Sequence, residues 1–280
     1  MGQAKQRRRT AFAPDLIEQW EGDDCINFAV ALARATGWIL HVDWWSTSTE
    51  HDEDIPIERL SPLRVYVGDN SDRIFDVRGV RSLADFCQHV IVRVIQQRGG
   101  GNGCVYTRFY SESALSDLPL RSQPDEGEIL RAMNAIQENI NFLKDIPVRV
   151  QPYIPAHDAA NYTFGNCAVF AEALRELTGL EPVAILAMKF SPMFERTKRS
   201  EDGYFHSVVL HPDGMAEDVW GKAPLDEIAG RFGVEEFTIS SDEYRNVIAR
   251  HNQSAPDHFA AAINDAKLLI RAHRPLNGID

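Results

Sequence analysis

Three residues in the C-terminal half have the types and the order of a nucleophile, a base and an orienting acid. Cys167 stands in "NYTFGNCAVFAEALRELTGL" (residues 161–180), at the front of a stretch whose apolar Phe170, Ala173 and Leu174 recur at helical spacing. A helix N-terminus carries about half a positive charge and unpaired N–H donors, so a thiol there ionises more readily and nearby amides can receive an oxyanion. His206 follows 39 residues on, opening "HSVVL", and Asp218 lies 12 beyond, opening "DVWG" after the turn "HPDG". If these segments pair as a hairpin, Asp218 is expected to accept from His206 Nδ1, leaving Nε2 for the Cys167 sulfur. A lone cysteine at a helix start is more often a packing residue, because free cysteine is among the most buried types. The partners carry the chemical reading. Around them, Asn166 is placed to cap the helix, and His211 is expected to be exposed in the turn. No spacing assigns His157 to the site, and Trp220 reads as a half-buried sheet aromatic.

The elements that must position these residues occur twice. Placing Cys25 over Cys167, 142 positions apart, aligns "CINFAVALARATGW" with "CAVFAEALRELTGL" without a gap, with seven of fourteen positions identical. At the same offset, Asp76-Val77-x-Gly79 matches Asp218-Val219-x-Gly221 and Leu83 matches Leu225. Two separate blocks sharing one offset mark a tandem duplication. Each copy predicts a helix from the cysteine to Thr-Gly, then an apolar strand ("WILHVDWW", "PVAILAMKF"), a polar excursion, a hairpin through "GDNSD" or "HPDG", and a helix start. The segment "QHVIVRVIQQ" fits a strand or a helix, and "RGGGNGC" reads as a loop. Residues 1–126 and 146–280 are the expected halves, joined by a helix over 127–145; a terminal helix is expected over 255–272.

The order of cysteine at a helix start, histidine at a strand start and acid on the next strand, in "FGNCAVFAEAL", "FHSVVLHPDG" and "EDVWG", resembles the papain-like cysteine hydrolases. The compact spacing is closer to their NlpC-type and bacterial toxin or effector branches. The resemblance covers residues 161–225. It implies an α+β fold of two papain-like halves, each a cysteine-bearing helix packed on a small antiparallel sheet. It also implies a thiol hydrolase or acyl transferase acting on an amide, isopeptide or thioester carbonyl, with Cys167, His206 and Asp218 as catalytic residues and no metal or organic cofactor. Asn161, six residues before Cys167, loosely fits the polar oxyanion-hole residue that such enzymes place there; Gln19 holds the matching place before Cys25. Copy one keeps Cys25 and Asp76 but has Arg64 where His206 stands. An arginine stays protonated and cannot act as a base, so Arg64 is expected to pair with Asp76 in a degenerate copy. His41, aligned with Val183, does not replace the missing base. The alternative is a catalytically inactive pair serving as a binding or regulatory module, bacterial or phage-borne.

Bulk properties narrow the classes. With 44% hydrophobic and 25% charged residues the chain reads as globular, and a formal net charge of −12 argues against nucleic acid as the partner. A protein or peptide substrate is expected instead. The basic run "KQRRR" (5–9) reads as a solvated end. Without an apolar leader or spanning segment, a cytoplasmic location is expected, delivery as an effector being compatible with the same sequence. Four scattered cysteines show neither a disulfide framework nor metal spacing. Oligomeric state and substrate are open at this level.

Overall fold

The computed structural model describes residues 12–48, 50, 55–69, 73–149, 154–163, 165–192 and 203–274. The N-terminal run "KQRRR", most of the "GDNSD" turn and most of the polar excursion after Phe190 lie outside the described residues. The chain divides into two compact units, Met1–Val67 with Ile74–Val148, and Gly68–Arg73 with Arg149–Asp280. Both are mixed α+β.

In the first unit, α1 (Pro14–Glu21) and α2 (Ile26–Thr36) lead into β1 (Ile39–Ser46), β2 (Ser61–Gly68), β3 (Arg73–Asp76) and β4 (Gly79–Ser82). Helices α3 (Leu83–Phe86) and α4 (Val92–Gln97), joined by a π-helical turn, make one helical run; β5 (Cys104–Tyr110), α5 (Glu126–Glu138) and α6 (Ile140–Leu143) follow. In the second unit, α7 (Ala156–Ala160) and α8 (Cys167–Thr178) precede β6 (Glu181–Phe190), β7 (Tyr204–Leu210), β8 (Ala216–Asp218) and β9 (Gly221–Ala223). Then come α9 (Leu225–Arg231), β10 (Val234–Ser240), α10 (Ser241–Ser254) and α11 (Pro256–His273).

The two sheets share one topology. Their orders are β4-β3-β2-β1-β5 and β9-β8-β7-β6-β10, so the last strand of each pairs with the first. That pairing is antiparallel in both units. Matching elements keep the 142-residue offset up to α3 and α9; from Cys104 to Val234 it falls to 130. The difference is the longer helical run and the glycine-rich loop of the first unit.

The repeated motifs are repeated structures. Thr36 and Thr178 each donate to the carbonyl four residues back at 2.7 Å, onto Leu32 and Leu174. The following Gly37 and Gly179 adopt φ of 77° and 72°, a left-handed cap that side chains disfavour. In Asp-Val-x-Gly, Asp76 and Asp218 each accept the backbone N–H two residues on at 2.8 Å. Gly79 and Gly221 then close the turn at φ 97° and 109°. One carboxylate oxygen of each aspartate is thus committed to folding its own turn.

Residues 127–145, expected as a joining helix, fall within the first unit. Helix α5 packs along α2 within the first unit, burying Ile129, Ala132 and Ile136. Its apolar stripe needs a partner, and periodicity alone does not name one. The segment "QHVIVRVIQQ" is helical, "RGGGN" is loop, and α11 covers the expected terminal helix. Phe12, Trp20, Phe28 and Phe142 form an aromatic cluster that holds α1 to α2. Among the described residues, no helix is long and apolar enough to cross a membrane.

Candidate active site

Helix α8 begins at Cys167, with Asn166 in the cap position. Asn166 does not cap through its side chain; its amide donates instead to the Asn161 carbonyl at 3.1 Å, tying the entry loop together. The helix packs on β7, β6 and β8, and α11 lies against it. Phe170, Ala173 and Leu174 are buried, as their spacing requires.

The hairpin β7–β8 turns through His211–Met215 and sets Val209 opposite Glu217. Asp218 therefore falls opposite position 208, one diagonal step from His206, within reach of a long side chain. His206 Nε2 lies 3.0 Å from Asp218 Oδ2. This reverses the expected ring orientation: the distal nitrogen meets the acid, because the two residues sit on staggered rungs rather than side by side. Nδ1, buried and without a hydrogen-bond partner of normal geometry, is left for the thiol.

All three groups are buried, Cys167 to 5% exposure and His206 to none. Burial alone would raise the Cys167 pKa and lower that of His206, since it penalises charge. Both move the other way. Against burial, the hydrogen bond and charge of His206, the Tyr204 hydroxyl and the Ser207 backbone amide bring the thiol below 9.0. Against burial, the bonds to Asp218 and Cys167 and their charges raise His206 from 6.5 to about 9. The directions are those of a thiolate–imidazolium pair, each ion holding the other charged. Asp218 stays ionised because burial is outweighed by the charge of Arg231, the His206 bond and the Trp220 amide.

Four contributors were not visible in the sequence. Arg231, at the end of α9 and buried, reaches Asp218 Oδ2 at 3.2 Å and pairs more distantly with Glu227. Phe232 packs its ring 4.6 Å from that of His206. The Tyr204 hydroxyl touches Cys167 Sγ at 3.3 Å and Ser207 Oγ at 2.9 Å. Arg149 lies 4.7 Å over the Trp220 ring, which is fully buried rather than half-buried. Only Tyr204 had a findable signal, its two-residue spacing from His206 on one strand.

Other candidates fall elsewhere. His211 is not a free turn residue: it bonds Glu217 at 2.7 Å and is 14% exposed, in a group that includes Arg274. His157 lies on α7 beside Asp158. Asn161 ends that helix, and its side-chain amide makes no hydrogen bond among the described residues.

The first unit keeps two of the three residue types in a different arrangement. Cys25 precedes α2 in a left-handed conformation, φ 63°, rather than opening the helix. Burial raises its thiol well above 9.0. Arg64 does face Asp76, at 3.8 Å, but its shorter bond, 2.9 Å, goes to Glu21. Gln19, matching Asn161, is exposed on α1. Among the described residues no group of histidine, cysteine and acid side chains is arranged to hold a metal ion.

The chain matches no protein-family model, no curated protein and no solved structure.

Proposed function

We propose that the second unit is a cysteine-dependent hydrolase or acyl transferase acting on an amide, isopeptide or thioester carbonyl, in the manner of the papain-like enzymes it resembles. The observation that carries this is the burial together of Cys167 at the start of α8 and of His206 bonded at 3.0 Å to Asp218, with charges and hydrogen bonds that favour a thiolate and an imidazolium against burial. A purely structural cysteine in the same burial would shift upward, as Cys25 does.

In the proposed reaction the Cys167 thiolate adds to the carbonyl carbon, forming a C–S bond and an oxyanion. The α8 N-terminal amides and the Asn161 amide are the candidate donors for that oxygen. His206, protonated and held by Asp218, gives its Nδ1 proton to the leaving nitrogen or sulfur as that bond breaks. The ring then takes a proton from the incoming water or acceptor nucleophile, whose attack releases the acyl group and restores the thiolate. Asp218 keeps the ring oriented, and Arg231 keeps Asp218 ionised. No metal or cofactor enters these steps. The first unit, with a suppressed thiol and an arginine in place of the base, is read as a non-catalytic binding module.

The test is a panel of model acyl substrates (thioester, peptide amide, glutamine side chain and lysine isopeptide) presented to the full chain, with intact-mass detection of a covalent adduct. An adduct on Cys167, lost in Cys167→Ala and kept in Cys25→Ala, is expected. Absence of turnover and of any adduct across the panel would overturn the proposal.

A further inference from the structure

We propose that the arginine-lined cavity of the first unit binds a small anion carrying several phosphate groups. The cavity has a volume of about 600 Å³, within the roughly 300–1,000 Å³ of small-ligand sites. Arg64, Arg78, Arg81, Arg93, Arg98 and Arg121 all line it, facing two wall carboxylates, Glu21 and Asp24. This concentration occurs in a chain of formal net charge −12.

The carboxylates position the guanidiniums without using them up. Glu21 holds Arg78 through two bonds of 2.7 Å and Arg64 through one of 2.9 Å. Asp24 is shared between Arg98 and Arg121, and Asp76 lies between Arg64 and Arg81, each at 3.8 Å. Each of these three acids thus serves two arginines, and Arg81 has a nearer partner in Asp85 at 2.9 Å. Arg64 is only 3% exposed, yet its Nε, like that of Arg81, is buried with no hydrogen-bond partner. Those two Nε groups lie behind the cavity wall, so an anion would meet the outer edges of the guanidiniums that line it. Arg93 has no ion-pair partner among the described residues and stands exposed at the rim.

The cluster is not demanded by the fold. At the 142-residue offset, Arg64, Arg78 and Arg81 correspond to His206, Trp220 and Ala223. The same scaffold stands in the second unit without these arginines. Phosphate is the matching chemistry, because planar guanidinium forks bond its oxygens in pairs and tolerate its multiple charge. Arginines spread around a cavity of this size suit two or more linked phosphates better than one. The inference does not depend on the thiol chemistry of the second unit.

Isothermal titration calorimetry of the full chain at near-physiological salt, with inorganic tripolyphosphate as the probe, tests this. One saturable site is expected, binding at least about tenfold tighter than orthophosphate, since added phosphate contacts accumulate charge-assisted bonds. Arg93→Gln with Arg121→Gln, both at exposed positions, should weaken it about tenfold or more without moving the melting temperature. Deleting residues 1–10, which removes "KQRRR", should leave it unchanged, as should Cys167→Ala. ATP in the same assay separates the sources: binding sensitive to the arginine variants supports a nucleoside-borne ligand, and tripolyphosphate binding alone supports a free phosphate chain. No saturable tripolyphosphate binding, binding indifferent to the arginine changes, or binding lost with the tail would each overturn the proposal.

Discussion

Replacing His206 with Gln should slow alkylation of Cys167 at pH 7 by up to about 100-fold. The magnitude follows from what sets the thiolate fraction. A thiol at its ordinary value of 9.0 is ionised to about one part in a hundred at pH 7, and burial of Cys167 pushes it further from ionisation. The imidazolium reverses that direction; glutamine can keep a hydrogen bond to Asp218 but carries no charge. The variant thiol therefore falls to about 1% thiolate or less, and its rate falls with it. The pH dependence has a defined sign. His206 is raised from 6.5 to about 9, so its contribution to stability is complete below about 6.5 and is lost as pH rises through about 9. The variant lacks that alkaline loss. Wild-type alkylation should level off below the ordinary thiol value, whereas that of the variant should keep climbing about tenfold per pH unit toward 9 and beyond. The assay is iodoacetamide labelling with peptide mass spectrometry of all four cysteines, exposed Cys104 serving as the internal reference. Restricted access to Cys167 slows wild type and variant alike and cancels in the ratio. A variant rate within about threefold of wild type, or Cys25 labelling as fast as Cys167, would refute the ion-pair reasoning.

Arg231→Gln removes the cation from a buried pair and leaves the Asp218 carboxylate with only His206 opposite it. Urea denaturation should show a loss of about 3–5 kcal/mol, and a loss below about 1 kcal/mol would mean Arg231 does not hold Asp218 ionised. In the first unit, burial raises the Asp43 carboxyl from 3.8 to about 6, against hydrogen bonds from Thr107 and Tyr66. The folded state therefore prefers the protonated acid, and wild type loses about 3 kcal/mol relative to Asp43→Asn as pH rises from 3.8 through 6. A stability difference that does not change over that interval would contradict it.

Much of the fold was written in local pattern. The helices beginning near Cys25 and at Cys167 show their apolar spacing and end at Thr-Gly, and the structure explains that ending by the threonine back-bond and the left-handed glycine. The shared offset makes the repeat visible, and two five-stranded sheets of matching order are compatible with two halves. Strands β5 and β10 are not legible in the sequence because each pairs with the first strand of its sheet across a long stretch of chain, a contact that leaves little local trace. Helix α1 is hidden for a related reason: its burial of Ile17 and Trp20 is too brief to establish a period.

The site divides in the same way. Sequence alone determined which residue types recur: a cysteine at or before a helix start, an aspartate in Asp-Val-x-Gly, and a histidine in only one copy. Spacing along a helix or hairpin constrains such residues to particular faces and rungs. The tertiary structure decided their chemistry. It turned His206 so that Nε2 meets Asp218, brought Arg231 from the next helix onto that acid, and set Tyr204 against the sulfur. It also placed Cys25 outside the helix, in a left-handed turn, and lined the neighbouring cavity with arginines. Ionisation depends on burial and on charges a few ångströms away through space, and distant parts of the chain supply both.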